Sequence, residues 1–174
     1  MLADGTRVRL REICAADVGE RYVGWLNDPV IAQFLESRFA TQTLESVRAF
    51  VEQQLADPAV LMLAIVDADG GAHVGNIKIG PLSRHHGTAD VGLLIGERAV
   101  WGRGYATEAI ALATGLGFER LGARKLTASC YSDNVGSATA FRRAGWADEG
   151  VRPAQFVGAD GRVQDQVMFG ILAP

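Results

Sequence analysis

At 174 residues, the chain has the length of one domain and can bury a sizeable core. Hydrophobic residues make up 48% of it, charged residues 21%, and the formal net charge is −3, which is ordinary for a globular protein. These values speak against a nucleic-acid-binding protein, in which basic residues are usually concentrated on one face. We therefore expect one domain over residues 1–174 and no nucleic-acid partner.

The sequence also speaks against a membrane protein and a metalloprotein. No apolar stretch reaches the length of a membrane span, and the charged residues between Arg7 and Glu12 interrupt any secretory pattern. Two cysteines, Cys14 and Cys130, and three histidines lack the spacing of metal ligands. We therefore expect a cytoplasmic protein with two reduced thiols, no bound metal and no membrane partner.

The first half of the chain is predicted to contain a strand, two helices and a hairpin. Alternating or helical spacing of apolar residues defines these elements, and an Asp/Gly-rich segment before Ala72 marks the hairpin turn. Thr43 is a plausible N-cap of the second helix. In chain order, the elements cover residues 6–10, 16–26, 44–55, 60–66 and 72–80.

The second half is predicted to alternate strands with helices and to end in two strands. In chain order, the elements cover residues 88–95, 105–120, 125–131, 137–144, 146–152 and 163–171. Three consecutive strands before the first strand–helix–strand unit predict a mixed sheet with helices on both faces. The fold class is therefore α/β, in the sense of an α+β mixed sheet.

A glycine-rich turn separates the strand at residues 88–95 from the following helix. Gly102 and Gly104 allow a tight turn, and the absence of bulky side chains leaves their N–H groups open. The helix that begins near Tyr105 directs its positive end at whatever the turn holds. Strand, turn and helix together predict an anion site suited to a diphosphate.

Other glycine motifs fit this turn less well. A dinucleotide-binding motif would follow the first strand and carry a third glycine, whereas this turn follows the fourth strand and has Thr107 at that position. The sequence contains no Gly-x-x-x-x-Gly-Lys-Ser/Thr loop. A purely structural turn between strand and helix stays open as an alternative.

Two motifs resemble those of the GNAT superfamily of N-acetyltransferases. The segment from Trp101 to Ala109, WGRGYATEA, resembles its acetyl-CoA loop, although Trp101 replaces the usual Gln or Arg. Downstream, Asn134-x-x-Ser137-x-x-x-Phe141-x-x-x-Gly145-Trp146 is similar to a second family element. The Trp-Gly-Arg-Gly-Tyr form is typical of the branch that contains the ribosomal-protein N-terminal acetyltransferases. The resemblance implies a central twisted sheet of about seven strands flanked by helices.

The resemblance implies acetyl-CoA as co-substrate and a set of residues that bind it. The turn and the start of the next helix would hold the pyrophosphate, while the preceding strand and Asn134 would contact the pantetheine. The Leu94 N–H would be the donor to the thioester carbonyl. The complete set is Leu94, Ile95, Gly96, Trp101, Gly102, Arg103, Gly104, Tyr105, Ala106, Thr107, Asn134, Ser137 and Phe141.

The resemblance also indicates candidate catalytic residues. Several family members carry an acidic residue eleven positions before the Gln or Arg of the loop, and here that residue is Asp90. It would take a proton from the amine, and partial burial would raise its pKa to a useful range. Many members use a tyrosine as the acid where this chain has Phe141. Tyr131 and Ser132 are the alternative candidates.

The acceptor is the least determined part of the prediction. Asn76 and Lys78 alternate on one face of a strand, and Lys78 could bind an anionic group such as a nucleotide phosphate. We expect a small amine, especially an aminosugar or its nucleotide derivative, ahead of a protein N-terminus. A longer acyl donor, a non-catalytic acyl-CoA-binding module and a nucleic-acid-linked protein stay open as alternatives. Homodimerisation through the last strands is a further expectation.

Overall fold

One eight-stranded sheet organises the protein, and the computed structural model describes residues 1–174. Its strands are β1 (Ala3–Asp4), β2 (Val8–Glu12), β3 (Leu61–Asp67), β4 (His73–Ile79), β5 (Thr88–Ile95), β6 (Lys125–Tyr131), β7 (Ala147–Val157) and β8 (Val163–Leu172). They lie in the order β1-β2-β3-β4-β5-β6-β8-β7, and only β5 and β6 are parallel neighbours. The predicted mixed sheet is confirmed, with the short β1 as an additional strand.

Four α-helices cover the two faces of this sheet. They are α1 (Glu20–Asn27), α2 (Leu44–Ala56), α3 (Tyr105–Glu119) and α4 (Val135–Arg143). Two short 3-10 turns, Ala32–Phe34 and Glu36–Phe39, connect α1 to α2. None of the helices combines the length and the apolar character that a membrane crossing requires.

Alternation along the strands separates two hydrophobic clusters, one on each face of the sheet. On β3, Leu63 and Ile65 belong to the larger cluster, which α3 and α4 cover with residues such as Ile110 and Phe141. Met62 points to the opposite face and packs in the smaller cluster with residues of α1 and α2, including Trp25. The period of two in a strand therefore assigns the two helix pairs to opposite faces, as the sequence predicts.

The first helix begins later than the sequence pattern suggests. Residues 15–17 form a 3-10 turn, and α1 starts only at Glu20. Asp17 holds this turn, because its carboxylate accepts hydrogen bonds from the Arg11 guanidinium at 2.6 and 2.7 Å and from the Cys14 N–H at 2.8 Å. Burial opposes the ionisation of Asp17, but these hydrogen bonds outweigh it and lower the pKa to about 2.

The sheet opens in its middle, between β5 and β6. These two strands pair only where Thr88, Ala89 and Asp90 face Lys125, Leu126 and Thr127. Beyond Asp90, β5 stays paired with β4 as far as Ile95, and β6 stays paired with β8 along its whole length. The opening is therefore a defined gap within an otherwise continuous sheet.

Candidate active site

Two clefts meet at the opening between β5 and β6. The first, of about 560 Å³, extends to the glycine turn and the starts of α3 and α4. The second, of about 740 Å³, lies against α2, β4 and the 3-10 turns that precede α2. Six residues line both clefts: Phe34, Leu35, Leu93, Leu94, Asn134 and Ser137. A long molecule in the first cleft could therefore present one end to a second molecule in the other.

The glycine turn directs unpaired backbone donors into the first cleft. Gly102 and Gly104 have φ angles of 73° and 84°, a left-handed conformation that favours glycine. Gly104 is the N-cap of α3, so the N–H groups of Tyr105, Ala106 and Thr107 have no carbonyl partner within the helix. Together with the helix dipole, these donors form the predicted anion site.

Two aromatic side chains fix the glycine turn against the sheet. The Trp101 indole donates from Nε1 to the Ile95 carbonyl oxygen at 2.9 Å, which ties the turn to the open edge of β5. The Tyr105 hydroxyl donates to Asp67 Oδ1 at 2.7 Å, and this hydrogen bond raises the pKa of Tyr105. Trp101 departs from the Gln or Arg of the motif, but its indole N–H supplies a hydrogen bond that holds the turn against β5.

The register of β5 determines which backbone donors face the opening. The backbone N–H of Gly80 donates to the carbonyl oxygen of Asp90, and the backbone N–H of Gly96 donates to the carbonyl oxygen of Val74. Antiparallel pairs alternate between bonded and non-bonded positions, so Leu94, which faces Asn76, directs its N–H to β4. The free donors at the opening are the N–H groups of Leu93 and Ile95. The opening is thus lined by the N–H groups on either side of Leu94 and not by its own, while the Leu94 side chain lines both clefts.

The second motif places α4 beside the opening. Asn134 is the N-cap of α4, and its Oδ1 accepts a hydrogen bond from the Ser137 N–H at 3.1 Å. Both residues line the two clefts. Phe141 is only 1% exposed and stacks on Phe169 with ring centroids 5.4 Å apart, at the edge of the second cleft. Its position agrees with contact to a ligand through van der Waals packing alone.

Two residues of the expected cofactor set lie apart from the clefts. Gly96 is buried, and a Cβ there would come within 2.0 Å of the Trp25 ring. The absence of a side chain at Gly96 therefore lets Trp25 of α1 pack against the end of β5. The Arg103 guanidinium lies 5.8 Å from the centre of the Tyr105 ring and is exposed. Neither residue lines the first cleft, although Arg103 sits within the turn that does.

Asp90 marks the point where β5 and β6 separate. Its side chain opens to the second cleft, and Oδ1 accepts a hydrogen bond from Thr127 Oγ1 at 3.1 Å. The protein atoms around the carboxylate remove much of its solvation and raise its pKa, while Thr127 and the charge of Lys78 oppose this rise. The direction of the shift agrees with the sequence-based expectation for a proton acceptor.

The two candidates for the proton donor occupy different surroundings. The Tyr131 hydroxyl donates to Glu36 Oε1 at 2.8 Å and accepts from Arg38 Nη1 at 2.9 Å, and its ring stacks on Phe156. Desolvation raises the pKa of Tyr131. The backbone N–H of Ser132 donates to the carbonyl oxygen of Asp165, and Ser132 lines neither cleft. Tyr131 thus borders the site and Ser132 lies outside it.

Sequence reasoning did not identify the segment that closes the second cleft. Glu36 and Arg38 lie on a 3-10 turn, and both hold the Tyr131 hydroxyl. The same Arg38 donates to the Val157 oxygen at 2.7 Å. These contacts join residues about a hundred positions apart in an irregular segment, so no periodicity could have revealed them.

A sheet that opens beside a glycine turn and a helix N-terminus, with a second cleft across the gap, defines the class of acyl-CoA-dependent acyltransferases. The chain belongs to the GNAT acetyltransferase family, since the model of the acetyltransferase (GNAT) domain matches residues 7–147. It is therefore an acetyltransferase that uses acetyl-CoA as its donor. The branch indicated by the Trp-Gly-Arg-Gly-Tyr segment stays a prediction.

Relatives of known sequence or structure are similar over nearly the whole chain. The uncharacterized N-acetyltransferase YoaA of Bacillus subtilis (strain 168) is 25% identical over 97% of this chain and 94% of its own. A spermidine N-acetyltransferase from Vibrio cholerae, solved with CoA and spermine, superposes with a TM-score of 0.83 at 19% identity, over 97% and 96% of the two chains.

A third similar structure is the microcin C7 self-immunity acetyltransferase MccE in complex with acetyl-CoA and AMP. It superposes with a TM-score of 0.79 at 20% identity, over 97% of this chain and 94% of the other. At this identity, the two structural likenesses show a shared fold and leave the acceptor undecided.

Proposed function

We propose that the enzyme transfers the acetyl group of acetyl-CoA to a primary amine of a small molecule, with an aminosugar or its nucleotide derivative as the first candidate. The observation that carries the proposal is the position of Asp90. Its carboxylate faces the second cleft where β5 and β6 separate, on the strand that continues to Leu94 at the meeting point of the two clefts. A proton acceptor is thus available within the acceptor cleft.

The first cleft fits CoA in three respects. The free N–H groups of Leu93 and Ile95 match the amides of pantetheine, which would lie along β5 like an additional strand. The start of α3 offers backbone donors and a positive dipole to the pyrophosphate. Asn134 stands across the opening, where its amide could bind the pantetheine arm. Bound acetyl-CoA supplies an activated thioester.

The residues of the site would act mainly by positioning the reactants. Asp90 would accept a proton from the amine, directly or through water, so that a neutral nucleophile is available. A backbone N–H at the open edge of β5 would stabilise the negative charge that develops on the carbonyl oxygen. Tyr131 is bonded at its hydroxyl to Glu36 and Arg38. Its proposed part therefore includes holding the wall of the cleft as well as donating a proton.

Two observations support a small acceptor. The second cleft has a volume of about 740 Å³ and is bounded by α2 and the 3-10 turns, which suits a compact molecule. The similar Vibrio cholerae enzyme is a spermidine N-acetyltransferase solved with spermine, itself a small amine.

We extend the proposal to a homodimer. In it, β7, the open edge of the sheet with its exposed Val151 and Val157, would be covered.

A thiol-release assay with acetyl-CoA tests the proposal. The panel contains aminosugars, polyamines and peptides that start with Ser or Ala, with acetyl-CoA alone as the background. We expect at least one small amine to raise CoA release above the background and above every peptide. A rate that no amine raises would overturn the proposal in favour of a non-catalytic acyl-CoA-binding module. Preference for peptides would instead favour protein N-termini as acceptors.

A further inference from the structure

Two hydrogen-bond donors in the second cleft have little or no use within the protein, and both come from β4. Asn76 and Lys78 are two residues apart, so their side chains project from the same face of the sheet. Both line the second cleft, and neither is part of the expected proton transfer. What they would bind defines the chemistry of the acceptor.

Asn76 carries a buried amide group without a partner. The residue is 3% exposed, and its Oδ1 lies 2.9 Å from His73 Nε2, but Nδ2 makes no hydrogen bond. Burial raises the pKa of the neighbouring Tyr22 to about 12, and a contact with the Asn76 side chain that lacks hydrogen-bond distance or angle opposes this rise. Ser37 Oγ, from the opposite wall of the cleft, is also buried without a partner. Buried donors of this kind are destabilising unless a ligand pairs with them.

Lys78 carries a positive charge that no carboxylate neutralises at ion-pair distance. Its Nζ donates only to Gln54 Oε1, at a long 3.4 Å, and lies 5.9 Å from the centre of the Phe50 ring. Lys125, the only other lysine, instead lies 2.7 Å from Glu149. The residue paired with Lys78 on β5 is Gly92, and a Cβ there would meet no atom within 4 Å. Open space therefore lies beside the Lys78 side chain where it leaves the sheet.

Neither of the two carboxylates that line the cleft forms an ion pair with Lys78. Asp90 is two residues before Gly92 on β5 and so sits diagonally from Lys78 across the sheet. Glu36 accepts the hydrogen bond from Tyr131. Along the sheet, Asn76 therefore lies beside Leu94 at the junction with the donor cleft, Lys78 lies beside Gly92, and Asp90 lies beyond them.

We propose that the acceptor is an amine that also carries an anionic oxygen group, a carboxylate or a phosphate, bound by Lys78 and the Asn76 amide. The anionic group pairs with the unused donors, and the amine lies at the junction with the donor cleft, on the face of the sheet that also carries Asp90. A polyamine would instead place a second ammonium group beside Lys78. The inference rests on the proposed N-acetyltransferase function and names the class of its substrate.

Matched acceptors test this inference directly. We would measure kcat/KM for 3-aminopropanoate against 3-aminopropanol, and for O-phosphoethanolamine against ethanolamine, with spermidine as the polycation. We expect the anionic member of at least one pair to exceed its neutral partner by about tenfold or more, the size expected of a hydrogen bond to a charged group. The carboxylate pair and the phosphate pair distinguish the two sources of the anionic group.

Lys78→Met should remove the advantage of the anionic acceptor, so that the ratio of kcat/KM within each pair falls to about 1, and should leave the KM for acetyl-CoA nearly unchanged. The ratio is the readout, because loss of the Lys78 charge also acts on Asp90 and so affects both members of a pair. Lys125→Met, the same change at the other lysine, is the matched control and should keep the advantage. Equal rates within both pairs, or an equal loss on both members in Lys78→Met, would overturn the inference while the N-acetyltransferase function stands. If no amine is acetylated, calorimetry decides: O-phosphoethanolamine or 3-aminopropanoate must bind the wild type and bind Lys78→Met about tenfold more weakly.

Discussion

The Asp90 side chain combines two requirements of a proton acceptor, position and a shifted pKa. It lies where the paired part of β5 and β6 ends, and it opens to the cleft in which we place the amine. Loss of solvation raises its pKa above the ordinary value of an aspartate, although the hydrogen bond from Thr127 opposes the shift. A carboxylate with a raised pKa is a stronger base than one at the ordinary value.

We expect Asp90→Asn to lower kcat by about 100-fold, the usual size for the loss of a general base. In the wild type, kcat should fall as the pH drops through the raised pKa of Asp90, because the protonated acid cannot accept a proton. That acidic limb should be missing from the residual activity of the variant. Stopped or continuous thiol-release rates between pH 5 and pH 9 measure both effects.

The same substitution has a distinct expected effect on stability. Because the pKa of Asp90 is raised in the folded state, its contribution to stability is present at low pH and is lost as the pH rises through that pKa. Asp90→Asn should therefore not lower the melting temperature at pH 7. Asp4→Asn, at an exposed carboxylate outside both clefts, is the control and should keep full activity. An Asp90→Asn enzyme with wild-type kcat would remove Asp90 from the mechanism.

At the scale of elements, β5 shows what a sequence can and cannot specify. The strand, the glycine turn and α3 follow from apolar runs and glycine positions, and both β5 and α3 begin at the predicted residues, Thr88 and Tyr105. The direction of each N–H group depends on the register in which β5 pairs with β4. That register is set by the irregular segment 80–87 between the two strands, in which no periodic pattern is present. The prediction that the thioester lies along β5 stays a prediction, while the register directs the Leu94 N–H away from the opening.

Amide hydrogen exchange by NMR can test this register. In the free protein, the Leu93 and Ile95 amides should exchange fast, because they face the opening, whereas the Leu94 amide should be protected by its hydrogen bond to β4. Addition of CoA should slow the exchange of Leu93 and Ile95 and leave Leu94 nearly unchanged. Leu94 is thus an internal control. A CoA complex in which only Leu94 gains protection would show that the strand binds its ligand through the other set of donors.

The remaining differences from the sequence prediction come from irregular or exposed segments. β7 continues to Val157 through Pro153 and Ala154, with a register shift and a φ of 53° at Ala154, which no alternation pattern encodes. The wall formed by Glu36 and Arg38 depends on contacts between distant residues. Motifs therefore predict a donor site at the first cleft, where backbone geometry dictates glycine and cap residues. They revealed little of the acceptor wall, where side chains from several elements meet.

At the scale of the whole molecule, Glu108 connects the first edge of the sheet to the helix that begins at the glycine turn. Its carboxylate accepts hydrogen bonds from Thr6 N at 3.1 Å, Thr6 Oγ1 at 2.7 Å, Arg7 N at 2.6 Å and Val8 N at 2.8 Å. Its position in the first turn of α3 by itself indicates only a favourable charge near the helix N-terminus. The structure instead shows a carboxylate that satisfies the turn between β1 and β2, so the binding turn and the sheet edge are held together.

Glu108→Gln should therefore lower the free energy of unfolding at pH 7 by about 1–3 kcal/mol, because the amide leaves backbone donors unpaired. Desolvation acts to raise the pKa of Glu108, but hydrogen bonds from Thr6, Arg7 and Val8 outweigh it and hold the pKa below its ordinary value. The stabilisation is thus present above the ordinary pKa and is lost as the pH falls through the lowered one. Urea unfolding at pH 7 and near pH 3 should show a difference between wild type and variant that shrinks at the acidic pH. Glu119→Gln, at an exposed position of the same helix, should leave stability unchanged at both pH values, and an equal loss in the two variants would contradict this role of Glu108.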